Sequence, residues 1–242
     1  MEATYDLNTE KDASRNFTVL VTGFAPWAGS RVNPSELLAS RLPSSIHFKG
    51  GNITIAKLDS PIPVSYAAIS GDVPPIIEKI KPDVVLHVGV DTSEFTAFHL
   101  ERGASRDGYN SIPDATRRVF TKAEAKIKYG KSPDFLTTSL DVSSIFERWN
   151  NGLLQTNHSS PIRRVLGPEV IITEDAGDFV CGFLYYQSLE YFNSLKRSGE
   201  LARPVLFLHV PQFGDDEDEL VKGDFILLRL IEAIAHVYGQ NS

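Results

Sequence analysis

Apolar residues along this chain fall into short β-branched runs that alternate with longer stretches of helical spacing. Phe17-Thr18-Val19-Leu20-Val21-Thr22 reads as a buried strand running into a loop at Gly23. Asn33-Pro34-Ser35-Glu36 then offers an N-cap followed by proline at the first helical position, which predicts a helix through about Arg41. Residues 53–58 alternate as a second strand. Residues 65–81 have helical spacing, with Ile76, Ile77 and Ile80 on one face and Pro74 and Pro75 expected to kink or delay the helix. Residues 83–90 form a third, strongly apolar strand and residues 96–101 a shorter one. The stretch 102–139 is polar, with glycine, proline and many basic residues, and reads as an extended excursion or flap. A helix over 139–149, capped by Ser139 or Asp141, and a loop over 150–161 follow. Val170-Ile171-Ile172 is a short buried strand, Ala176-Gly177 a turn, and Asp178 the N-cap of a helix to about Lys196. Residues 205–210 make the last strand, before an acidic loop and a final helix to about Tyr238. This alternation predicts an α/β fold with a mostly parallel or mixed sheet covered by helices on both faces.

Composition narrows the class. A chain of 242 residues with 42% hydrophobic residues can bury one sizeable core. Residues 1–16 lack apolar periodicity and read as a flexible N-terminal leader, with 17–242 as a single domain. A formal net charge of −7 excludes a general nucleic-acid or membrane-surface binder, so the expected partner is small. One cysteine cannot form an internal disulfide, the opening residues do not resemble a secretion signal, and no run of about twenty apolar residues exists, all of which points to the cytoplasm. The six histidines and the cysteine show no zinc spacing, and Asp215-Asp216-Glu217-Asp218-Glu219 reads as a solvated helix start rather than a metal site, so no cofactor is expected.

Cys181 carries the candidate chemistry. In the first turn of a helix, unpaired N–H groups and the positive end of the dipole stabilise a thiolate, which is a nucleophile's position; a small buried core residue is the bland alternative. His209 lies near the carboxyl end of an apolar strand, just before Val210-Pro211, where it can serve as the base or be a satisfied buried histidine. A third group should orient the imidazole. Glu101 is the best-placed acid, although Glu101-Arg102 can equally be a surface ion pair; Glu174 and Asp175 compete and are read as residues of the turn.

Taken together, these blocks resemble the pyroglutamyl-peptidase I family of cytosolic cysteine peptidases. Val19-Leu20-Val21-Thr22-Gly23-Phe24-Ala25-Pro26-Trp27, Val32-Asn33-Pro34-Ser35, Ile62-Pro63-Val64-Ser65-Tyr66 and His87-Val88-Gly89-Val90 match its first blocks. Glu101 with Arg102, Asp175-Ala176-Gly177-Asp178-Phe179-Val180-Cys181 with Tyr185-Tyr186, and Leu208-His209-Val210-Pro211 match the later ones, in order. The resemblance implies a three-layer α/β/α sandwich and hydrolysis of the amide bond after an N-terminal pyroglutamyl residue, through a thioester. It implies Cys181 as nucleophile, His209 as base and Glu101 as orienting acid, with Phe24, Trp27, Phe179 and Val180 holding the pyrrolidone ring. The oxyanion would be met by backbone N–H groups of Cys181 and of the loop near Gly89. The partners would be small peptides with N-terminal pyroglutamate; the oligomeric state is not derivable. Trp27 stands where the family commonly has Phe, Ser111 stands where a bacterial block has Arg, and 102–137 is divergent. Those departures motivate the alternative of a pyroglutamyl-peptide binding protein with impaired turnover. A nucleoside-phosphorylase-like enzyme would need a phosphate site, and no glycine-rich loop of the required spacing is present.

Overall fold

A computed structural model describes residues 15–48, 51–94, 96–154 and 169–240. The chain begins with β1 (Arg15–Thr22), α1 (Pro34–Arg41), β2 (Ser45–Phe48), β3 (Gly51–Lys57), α2 (Tyr66–Ile80), β4 (Val84–Asp91) and β5 (Ala97–Ser105). It continues through α3 (Lys122–Tyr129), β6 (Phe135–Thr137), α4 (Val142–Leu154), β7 (Glu169–Asp175), α5 (Val180–Arg197), β8 (Val205–Pro211) and α6 (Glu217–Gln240). The eight strands form one mixed sheet in the order β2-β3-β1-β4-β8-β5-β6, with β7 paired to β5. Strands β3, β1, β4 and β8 run parallel; β5 enters antiparallel to β8 and parallel to β7.

Strand alternation divides the core between the two faces of the sheet. Val19, Val21, Leu86, Val88, Leu206 and Leu208 point to one face and pack against α1, α4 and α6. Leu20, Val85, Val205 and Phe207 point to the other and pack against α2, α3 and α5. The result is the expected three-layer sandwich. Among the described residues no helix is long and apolar enough to cross a membrane.

Local chemistry explains the legible helices. Asn33 caps α1 by accepting from Ser35 N, with Pro34 opening the helix. Ser65 caps α2, which starts without delay and runs through Pro74 and Pro75 to a left-handed cap at Lys81. Asp141, not Ser139, caps α4: its Oδ1 accepts from Ser144 N at 3.0 Å.

The structure adds one element and corrects three expectations. Strand β2, too short to show a period, pairs antiparallel with β3. The predicted flap is folded: β5 runs to Ser105, and Tyr109, Phe120, Ala125 and Tyr129 are buried against the sheet. Charged residues surround only two buried positions of α3, Ala125 and Tyr129, so its helical period is masked. Helix α4 continues to Leu154, into the predicted loop; residues 155–168 lie outside the described residues. Finally, Phe179 rather than Asp178 is the N-cap of α5. Gly177, at φ +84°, turns the chain so sharply that Asp178 falls one residue too early.

Candidate active site

The site forms where β4 and β8 end and α5 begins. Register sets its geometry. In the parallel β4–β8 pair Gly89 lies opposite His209, and in the antiparallel β5–β8 pair Glu101 lies opposite Phe207, two residues from His209. Glu101 and His209 are therefore diagonal neighbours on one sheet face, within reach of long side chains. The His209 Nδ1–H donates to Glu101 Oε1 at 2.7 Å, with Glu101 only 2% exposed and His209 8%. The second carboxylate oxygen of Glu101 accepts from Thr173 Oγ1 at 2.6 Å, across the β5–β7 register. Arg102 turns the other way and pairs with Glu174 at 3.0 Å, so Glu101 is not half of a surface ion pair.

Cys181 is the second residue of α5, and its thiol is free and half-buried. Phe179 contributes no side-chain hydrogen bond to the helix start, which leaves that cap without the acceptor Asp178 was expected to supply. The sulfur lies against Gly89: a Cβ there would sit 2.9 Å from Cys181 Sγ and 2.7 Å from Phe207 Cζ. Burial alone would lower the His209 ring. Cys181, through charge and hydrogen bonding, and then Glu101 outweigh it and raise the ring to about 10. The protonated form of the His209 ring is thus favoured by both of its neighbours.

A cavity of about 590 Å³ opens over the sulfur. Phe24, Trp27, Phe179 and Val180 all line it, together with Cys181 and His209. Residues given no role in the sequence reading line it too: Val64, Ile112 and Pro113, and Asp91, Thr92 and Ser93. Ile112 and Pro113 arrive from the stretch read as a flap. Asp114 fixes them in place, because its carboxylate accepts from Tyr66 N at the start of α2 and from Thr116 N and Arg118 N. Thr173 could have been found only from cross-strand register, which local sequence does not carry. Glu174 and Asp175 stay outside the relay; Asp175 Oδ1 accepts from Gly177 N at 3.1 Å, a turn contact as expected.

Among the described residues no group of three or more His, Cys, Asp or Glu side chains is arranged to hold a metal ion. What the arrangement can do is deprotonate a thiol beside a cavity and deliver that proton to a leaving group.

Comparison with known proteins gives a consistent picture. The family model for pyroglutamyl peptidase matches residues 17–153, a span that contains Phe24, Trp27 and Glu101. Human pyroglutamyl-peptidase 1 is 28% identical over 196 residues, covering 81% of this chain and 79% of its own. The pyrrolidone-carboxylate peptidase of Pyrococcus furiosus is 26% identical over 209 residues, covering 85% and 86%. A solved structure of a mutant pyrrolidone carboxyl peptidase from the same organism superposes with TM-score 0.66 at 20% identity, covering 91% of this chain and 99% of that one. Bacillus amyloliquefaciens pyroglutamyl peptidase I gives 0.65 at 20%, covering 90% and 96%.

Proposed function

Since the chain belongs to the pyroglutamyl peptidase family, as the match over more than half its length shows, we propose that it is a cysteine peptidase that hydrolyses the amide bond after an N-terminal pyroglutamyl residue. One observation carries this reading: Cys181 lies against a His209 ring that is hydrogen-bonded to buried Glu101 at 2.7 Å, at the mouth of a cavity able to hold a small ring.

In the proposed cycle His209 holds the proton that Cys181 gives up, and Sγ attacks the pyroglutamyl carbonyl carbon. The carbonyl electron pair moves onto oxygen, where backbone N–H groups of Cys181 and of the chain near Gly89 receive it. Collapse of this adduct breaks the C–N bond as His209 passes its proton to the departing amine nitrogen, leaving a thioester. Water then adds to the thioester carbonyl while the ring takes its proton. The C–S bond breaks, pyroglutamate leaves, and the thiolate is restored. Glu101 accepts from Nδ1–H throughout and keeps Nε2 directed at the reacting atoms, with Thr173 holding the carboxylate.

Phe24, Trp27, Phe179 and Val180 would enclose the uncharged lactam. An uncyclised glutamate or glutamine end would bring an uncompensated charge into the same slot, at a cost of several kcal/mol. The free thiol fits a reducing compartment, so the enzyme is assigned to the cytoplasm, with residues 17–242 acting as one catalytic unit. Purified protein under reducing conditions is expected to release aminomethylcoumarin from its pyroglutamyl amide. Cys181→Ala should lower that rate by roughly 10⁴-fold or more. No release by the intact protein overturns the assignment.

A further inference from the structure

The pyroglutamyl ring carries no charge, yet the proposed pocket does. Its lining includes two carboxylates, Asp91 and Asp178, and neither lysine nor arginine. The one cationic group, the His209 ring, is already matched by Glu101 and Cys181. The cavity also holds far more than one five-membered lactam, so a further part of the substrate must meet this charge.

Asp91 ends β4, in register with Pro211. Its Oδ1 accepts from Ser93 N at 2.9 Å and Ser93 Oγ at 2.7 Å, and its Oδ2 lies 3.9 Å from His99 Nδ1. Burial works against its charge, but the bonds from Ser93 and the rings of His209 and His99 hold its carboxyl below the usual carboxylate range. Asp178 is exposed in the turn before α5 and lines the same cavity as Cys181. It forms no ion pair with lysine or arginine among the described residues. The two acids thus line the cavity that holds the sulfur, from different elements.

Given the hydrolytic reading above, on which this inference rests, the departing amine must reach His209 to collect its proton. That puts the first leaving residue in the cavity that His209 and Asp91 line together. We propose that Asp91 and Asp178 make the enzyme selective for pyroglutamyl peptides whose second residue is lysine or arginine, and disfavour an acidic residue or a free carboxylate there. Neither acid is part of the relay, and the uncharged ring offers neither of them a cationic partner.

The test compares pyroglutamyl-lysine, -alanine and -glutamate amides, with released pyroglutamate measured by chromatography. At low salt, kcat/KM for the lysine substrate is expected to exceed that for glutamate by at least about tenfold, and high salt should narrow the ratio. In Asp91→Asn and Asp178→Asn the ratio should shrink, and in the double variant it should approach unity. A ratio within one variant is insensitive to a general loss of activity, so a merely structural role would not move it. If Asp91→Asn fails to fold, Asp178→Asn and the salt dependence still decide. Equal turnover of all three peptides by the intact protein, or a preference that survives in the variants, overturns this inference alone. Failure to cleave even the alanine peptide overturns the hydrolytic reading with it.

Discussion

His87 and His209 point to the same face of the sheet from adjacent strands, are both buried, and are driven in opposite directions. His87 has hydroxyl partners, Thr22 at 2.8 Å and Ser188 at 2.9 Å, and burial pushes it down to about 3. His209 is also buried, but Cys181 and Glu101 reverse the sign and raise it to about 10. The partner's charge, rather than depth, decides which histidine can carry a proton at neutral pH. Stability should follow. His87 resists protonation when folded, so its contribution is full above about 6.5 and lost as pH falls toward 3. His209 binds its proton more tightly when folded, so its contribution is full below about 6.5 and lost as pH rises toward 10. Urea unfolding across pH should show stability greatest near neutrality, each group adding a slope of up to about 1.4 kcal/mol per pH unit on its own side. In Glu101→Gln the charge holding the His209 proton is gone. The alkaline limb of the pH profile of kcat/KM should move to lower pH, with kcat reduced by about 10²-fold or more; an unmoved limb would exclude this role for Glu101. Gly89→Ala should be nearly as damaging, since no methyl group fits between Phe207 and the sulfur. At this scale Cys181 and His209 were legible because a helix start and a strand end are local features. Glu101 and the loop near Gly89 rested on resemblance, since Arg102 beside Glu101 pointed also to an ion pair, and Thr173 needed the pairing of distant strands.

At the scale of elements, caps and apolar strands were legible and the 102–139 stretch was not. Thr121 and Glu124 form a capping box at α3, but its apolar face is only Ala125 and Tyr129 among lysines. The same stretch supplies Ile112 and Pro113 to the cavity, so its folding bears on the site. Asp114, 5% exposed, ties it to α2 through backbone N–H groups on both segments. Asp114→Ala should cost about 3 kcal/mol by leaving those donors unmet. It should also raise KM more than it lowers kcat, with faster amide exchange around residues 109–118. Unchanged KM would detach this loop from substrate binding.

Across the whole molecule the two faces of the sheet carry different duties, and the two tryptophans report on different parts of it. Trp149 is fully buried on the α4–α6 side, its Nε1–H donating to Ile226 O at 2.9 Å. Trp27 borders the cavity and packs against the cores of both faces. A pyroglutamate analogue is expected to change the fluorescence of the intact protein and not that of Trp27→Phe. Denaturant should release both signals at one midpoint if the sandwich is a single cooperative unit. The sandwich itself could be read from alternation; the strand order could not, because β8, the last strand in sequence, lies between β4 and β5. That placement links the proposed catalysis to the history of folding. His209 and Glu101 are 108 residues apart in the chain, so the relay requires a late strand to close into the middle of the sheet, a slow, high-contact-order event. During synthesis the nascent chain should stay inactive until β8 has emerged, and on refolding activity should return with the slowest phase.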